Sequence, residues 1–247
     1  MRTFPQSLAA SLKLSKHIIV VDSGSTDGTI AFCKEHGIEV QHRDWTTPTE
    51  QKEHAMSFCA DSQWVLLLDS DEIVLDTLAK SIQEAVTSSK EIDTGYKMNR
   101  MTWFHGKPLK RAFQKEWRLR LARISCVTIE ADPSGVHDRL EVKEGNVKRL
   151  AGVLRHDSWI DASDMIQRGA KWGVVTGQHA INGGHCWNLA FNPPVAFLKQ
   201  LLIKRAILDG WRGWVVSAGV ASQTLIKHIA IMERRSRLRE SKRSSKD

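Results

Sequence analysis

The sequence predicts an α/β fold around a mostly parallel sheet, with a helical segment at the C-terminal end. Three observations carry this expectation. Short uncharged runs rich in Val, Ile and Leu alternate with helix-length stretches over residues 1–88, the mark of βαβ crossovers. Two acidic clusters, Asp22 and Asp69/Asp71, directly follow such runs, and open α/β sheets place ligands beyond strand carboxyl ends. Excess positive charge is confined to the end: residues 1–194 hold 24 Lys+Arg and 24 Asp+Glu, whereas residues 195–247 hold 12 and 4.

Residues 3–14 read as an amphipathic helix. HIIVVD at 17–22 is a continuous apolar run of the kind found in strands buried on both faces. SGSTDGT at 23–29 is turn chemistry, because Gly24 and Gly28 permit tight backbone geometry and Ser25 and Thr26 are capping residues. A helix is expected from Thr26 or Asp27 to His36, with Gly37 as its stop. A second strand over 38–41, a helix over 48–60, a third strand over 63–68 (QWVLLL) and a helix over 76–88 follow. Beyond residue 94 the pattern loosens. Strands mixed with loops are expected at 95–104, 116–123 and 147–156, and a helix at 161–180. Asn192-Pro193-Pro194 should break the chain, leaving helices at 195–209 and 214–232 and a polar tail at 234–247.

With 41% hydrophobic and 26% charged residues in 247, the chain is neither disordered, collagen-like nor a disulfide miniprotein. Cys33, Cys59, Cys126 and Cys186 have no paired spacing, which excludes a zinc ribbon or redox CxxC and favours a reducing compartment. The first 16 residues hold no signal-type apolar core. The uncharged run 213–226 near the C-terminus has 14 residues, short of the roughly 20 of a spanning helix, so no bilayer span is expected.

Asp69-Ser70-Asp71 puts two carboxylates at a loop where both can approach a hard cation. Mg²⁺ or Mn²⁺ takes one or two carboxylates with phosphate oxygens and water, and makes a diphosphate a better leaving group. An isolated DxD is more often a polar turn; the buried strand, the second acidic cluster and the βαβ frame favour the metal. The Asp22 loop is neither a Walker A nor a GxGxxG loop, so its carboxylate suits a base N–H or a ribose hydroxyl better than phosphate.

These motifs, IIVVDSGSTDGT (18–29), QKEHA (51–55) and WVLLLDSDE (64–72), resemble family 2 glycosyltransferases with the GT-A nucleotide-sugar-binding fold. GYKMNR (95–100), EWRLRLAR (116–123), GVHDRL (135–140), LRHDSW (154–159) and LDGWRG (208–213) make the chain similar to lipopolysaccharide core β-1,4-glucosyltransferases within that family. The resemblance implies that Asp22 and Ser23 meet the uridine of a UDP-sugar and that Lys52 lies near the nucleotide. It implies that Asp69 and Asp71 hold the metal and diphosphate, and that His156 completes the metal site. For the general base it offers Asp138, where the family pattern has a longer Glu after the histidine, and then Glu116; pairing with Arg118, Arg120, Arg123 or Arg139 is the competing role for either. The family opens with a buried strand before its first helix, and this chain starts at that helix, so a sheet lacking its first strand is expected.

The expected organisation is a GT-A domain at 1–190 and an amphipathic extension with a basic tail at 191–247. Apolar residues, Lys199, Lys204 and Arg205, and Trp211 and Trp214 suit a membrane interface, and seven basic residues follow between Arg234 and Lys246. The resulting expectation is an inverting, metal-dependent transferase moving glucose from UDP-glucose to an inner-core lipopolysaccharide sugar. Its acceptor is lipid-linked, and it sits peripherally on the cytoplasmic face of the inner membrane. The alternatives are another donor or acceptor, or an impaired nucleotide-sugar-binding relic. A nucleic-acid partner is not expected, since the body is neutral and no RNA-recognition or helix-turn-helix signature is present.

Overall fold

The computed structural model describes residues 1–113, 115–131, 138–180 and 183–244. In chain order these form α1 (Phe4–Leu12), β1 (Val20–Asp22), α2 (Thr29–Glu35), β2 (Val40–His42), α3 (Pro48–Ser57), β3 (Trp64–Leu66), β4 (Glu72–Val74) and α4 (Asp76–Ser88). Then come β5 (Asp93–Phe104), β6 (Lys107–Pro108), β7 (Glu116–Arg123), β8 (Val127–Ala131), β9 (Asp138–Val142), β10 (Asn146–His156), α5 (Ala162–His179), α6 (Cys186–Leu198) and α7 (Trp211–Ser244). Two compact units result: Met1–Met101 with Lys115–Asp157, and Thr102–Gln114 with Ser158–Asp247. α5 packs along α7 and groups with the later helices.

In the first unit β1 pairs with β2 in parallel, Val20 opposite Val40. The larger sheet runs β3-β7-β5-β10-β4. Its β3–β7, β5–β7 and β4–β10 pairs are antiparallel, which corrects the mostly parallel sheet expected from the sequence. The reason is that β7 enters between β3 and β5 and runs against both, and antiparallel neighbours need no crossover helix. α4 buries Leu78 and Ile82 against Tyr96, Met98, Leu121, Leu150 and Leu154. Gly152, at φ +96°, allows this approach: a Cβ there would stand 2.4 Å from the Leu78 nitrogen.

The edge of β1 away from β2 and the edge of β3 away from β7 have no strand partner among the described residues. Between them lies a trough of about 520 Å³, lined by residues 17–21 and 64–70, with Phe4, Ser7 and Leu8 of α1 along it. Side chains alternate between the faces of a strand, so lining by every residue in a row marks the strand edges. The N-terminal amine meets Asp27, in the loop after β1, and Ser7 Oγ donates to the carbonyl of Glu72, the first residue of β4, at 2.6 Å.

The second unit is built on Phe104, Leu109, Ala112, Met165, Ala206 and Val216. Pro193 and Pro194 lie inside α6 and do not break it, contrary to expectation. Proline fixes a φ that a helix accepts, and the roughly 3 kcal/mol its lost hydrogen bond costs is offset by packing: Pro193 is buried and Asn192 Nδ2 donates to His228 Nε2 of α7 at 2.8 Å. Nor is 195–209 one helix. α6 passes into a π turn over Lys199–Ile203, the chain turns at left-handed Arg205 (φ 59°), and a 3₁₀ turn covers Ala206–Asp209. α7 then continues through most of the expected polar tail. By length and composition alone α7 passes for a membrane-crossing helix, which the count of uncharged residues missed. Gly173 and Gly177 of α5 and Gly219 of α7 admit close packing of these two helices.

Candidate active site

Register builds the site. In the β5–β7 ladder Lys97 faces Leu119 and Tyr96 faces Leu121, so Arg120 is the extra residue of a bulge. Bulges re-aim side chains. The Arg120 carbonyl accepts from Leu67 N at 2.8 Å, which holds this arginine beside the Asp69 loop. On the other side of the sheet His156 lies opposite Glu72, and Asp157 N donates to the Asp71 carbonyl at 3.0 Å, so His156 is carried to Asp71.

The result is a run of alternating charge. Lys52 Nζ lies 2.8 Å from Asp138 Oδ2 and 2.7 Å from Asp69 Oδ1. Asp69 Oδ2 lies 2.7 Å from Arg120 Nη2, which also lies 2.7 Å from Glu72 Oε1. Arg100 stands 3.5 Å from Glu72 and 2.8 Å from Glu116, and Glu116 also pairs with Arg118. From one candidate base, Asp138, to the other, Glu116, four carboxylates thus alternate with three cations, and Arg118 follows beyond Glu116. Glu72 is fully buried, and a buried carboxylate needs such partners.

The electrostatics follow from these contacts. Burial pushes the Asp69 carboxyl up, but Arg120 and Lys52 outweigh it and hold it far below the usual carboxylate range. Burial lowers the Arg120 guanidinium, and Glu72 and Asp69 more than reverse this, so it stays charged. Burial raises Glu116 while Arg100 and Arg118 bring it below its ordinary value. Asp22 is also held low: burial opposes, but hydrogen bonds from Ser25 and Gly24, at 2.7 Å each from backbone N–H, prevail.

Lys52, Asp69 and Asp138 therefore meet directly, and Ser23, Lys52 and Asp69 share the trough wall. Exposed Ser23 follows Asp22, whose carboxylate shapes its own loop. His156 Nε2 lies 3.4 Å from Asp71 Oδ2. Both oxygens of Asp69 are taken by cations, and among the described residues no three His, Cys, Asp or Glu side chains cluster as a metal site. Asp71 and His156 fit as one carboxylate and one imidazole donor, leaving the other positions to phosphate and water. Glu116 lies at the far end of the charge run, and His137 is outside the described residues. The sequence reading gave Glu72, Arg100 and Arg120 no site role. The signal present was Glu116-x-Arg118-x-Arg120, charges at period two on one strand.

Residues 2–128 match the family model described as glycosyl transferase family 2, a span that holds Asp22, Ser23, Lys52, Asp69, Asp71 and Arg120. The chain belongs to that family and is a glycosyltransferase with an α/β fold of GT-A type. It is 28% identical over 199 residues to the lipopolysaccharide core biosynthesis glycosyltransferase LpsC of Rhizobium meliloti (strain 1021), covering 76% of this chain and 72% of that protein. It is 25% identical over 216 residues to a glycosyltransferase of Rickettsia prowazekii (strain Madrid E), covering 83% of this chain and 73% of that one. A glycosyltransferase of Rickettsia typhi (strain ATCC VR-144 / Wilmington) is 24% identical over the same length.

Proposed function

We propose that the enzyme transfers glucose from UDP-glucose, with inversion, to an inner-core sugar of lipopolysaccharide. It does so as a peripheral protein on the cytoplasmic face of the inner membrane. The observation that carries the reading is the Lys52 ammonium held between Asp69 and Asp138. The likeness to a lipopolysaccharide core enzyme supports the acceptor class.

In this reading the Asp22 loop and Ser23 receive the uridine, and Lys52 exchanges its carboxylate partners for the donor's diphosphate. Release of Lys52 frees Asp138 to accept the acceptor hydroxyl's proton. The acceptor oxygen bonds to the anomeric carbon from the opposite side as the bond from that carbon to the diphosphate oxygen breaks, and UDP leaves with the electron pair. A divalent cation, Mg²⁺ or Mn²⁺, when bound would neutralise charge on the departing diphosphate, with Asp71 and His156 as its protein ligands and Asp69 beside it. Arg120 holds Asp69 and Glu72 in place throughout.

The test is UDP release from UDP-glucose, in the presence of deacylated lipopolysaccharide core, by the wild type and by Asp69→Ala and Asp71→Ala. Loss of turnover in both variants with unfolding midpoints retained is expected. Turnover with a different UDP-sugar alone would move the donor assignment, and full activity in either variant would remove the site.

A further inference from the structure

α6 and the turns after it present an apolar face that the second unit does not cover. Trp187, Phe191, Val195, Leu198 and Leu202 are all exposed, and their spacing of three and four residues sets them in one stripe. Trp187 and Phe191 stack at 5.6 Å between ring centroids. The left-handed turn at Arg205 adds Ile203 and Leu208 at the corner, 73% and 65% exposed, and the start of α7 adds Trp211 and Trp214.

Charge on this face has one sign. Residues 186–198 contain no Asp, Glu, Lys or Arg, and residues 187–214 contain Lys199, Lys204, Arg205 and Arg212 against a single carboxylate, Asp209. That carboxylate is already engaged: it accepts from the backbone N–H groups of Lys110, Arg111 and Ala112 at 3.0, 2.9 and 2.7 Å. Among the described residues no ion pair involves Lys199, Lys204 or Arg205. An uncharged aromatic and aliphatic stripe, edged by cations without protein counter-ions and by tryptophans, is the chemistry of a surface seated at the headgroup level of an anionic bilayer.

We propose that residues 187–214 form a docking surface that inserts Trp187, Phe191, Leu198, Leu202, Ile203 and Leu208 into the interface of an anionic membrane. The partner rests on the reading of a lipid-linked acceptor given above; the place of docking comes from the geometry of this unit. The surface reaches eight residues further toward the N-terminus than the 195–209 segment marked by sequence, because α6 passes through its prolines.

The experiment is co-sedimentation of the full chain with phosphatidylcholine vesicles, with and without phosphatidylglycerol. Three forms are compared: the wild type, Leu202→Gln/Ile203→Gln/Leu208→Gln, and Lys199→Gln/Lys204→Gln. All five positions are at the surface or partly so, so folding should persist, and the unfolding midpoint checks it. The wild type should bind anionic vesicles more tightly than neutral ones. The apolar triple variant should lose binding to both, and the lysine pair should weaken anionic binding by about thirtyfold. UDP release with a soluble acceptor should be unchanged in both variants. Wild-type affinity in the triple variant would overturn the proposal. So would a wild-type dimer, seen by light scattering, that the triple variant dissociates, since the face would then meet a second copy. Vesicle binding as described without UDP-sugar turnover would leave this surface standing and remove the transferase reading instead.

Discussion

The Lys52 ammonium reaches both oxygens of Asp138, at 3.1 and 2.8 Å, across 86 residues of sequence. Since the same nitrogen touches Asp69, one cation ties the expected diphosphate site to the expected base. Asp138→Asn should therefore depress kcat by roughly 10² to 10⁴ with donor affinity kept. Lys52→Met should instead weaken donor binding and turnover together, by roughly 10- to 100-fold for the lost charged hydrogen bonds, and Lys52→Arg should recover part. Steady-state kinetics beside equilibrium UDP binding separates the two patterns. If Glu116→Gln gives the Asp138 pattern and Asp138→Asn does not, the base is Glu116.

Arg120 is the chief counter-ion of a carboxylate with no solvent access, Glu72, whose other cation stands 3.5 Å away. Arg120→Leu should destabilise the fold by about 3 to 5 kcal/mol, because it strands that charge. Adding Glu72→Gln should bring back a large part of the loss. Urea unfolding of the four members of this cycle checks it, and simple additivity would show that the two residues do not act as a pair.

Acid should weaken the fold in a defined window. Asp22 and Glu116 both have folded-state pKa values below their ordinary ones. Such groups stabilise fully above the unfolded values, about 3.9 and 4.3, and the contribution is lost as pH falls through the folded values. The melting temperature of the wild type should thus drop more steeply below about pH 4 than that of Asp22→Asn or Glu116→Gln. Parallel curves down to pH 3 would contradict this.

Much of this was legible in the sequence, for reasons that differ by element. The helix at 76–88 and the strands at 116–123 and 147–156 follow from local periodicity, and the structure has them almost residue for residue. Strand pairing is not local. Nothing in EWRLRLAR states that it enters between β3 and β5, so the antiparallel neighbours and the Arg120 bulge were out of reach. Asp69 and Asp71 could be found because they end an apolar run. Glu72 stands beside them, but its burial depends on a register set by residues 48 and more positions away. Pro193-Pro194 misled because a local rule was applied where packing on α7 decides.

Gly152 gives a test of how α4 is seated. A side chain there would meet the backbone of Leu78 and would also need a left-handed conformation, so no rotamer relieves it. Gly152→Ala should cost about 3 kcal/mol or more in chemical unfolding, against well under 1 kcal/mol for Gly37→Ala beyond its own backbone strain, where a Cβ would meet nothing within 4 Å. Equal losses at both positions would mean that α4 does not rest on β10 as described.

On the proposed reading, the cluster around Lys52, Asp69, Asp71 and His156 is a nucleotide-diphosphate site that a divalent cation completes. Calorimetric titration of UDP into the full chain, with Mn²⁺ and with chelator, measures this directly. UDP should bind at least about tenfold more tightly with Mn²⁺, and Asp71→Ala should abolish that gain while leaving binding in chelator unchanged. Absence of UDP binding in the wild type, or a Mn²⁺ gain that survives Asp71→Ala, would contradict it.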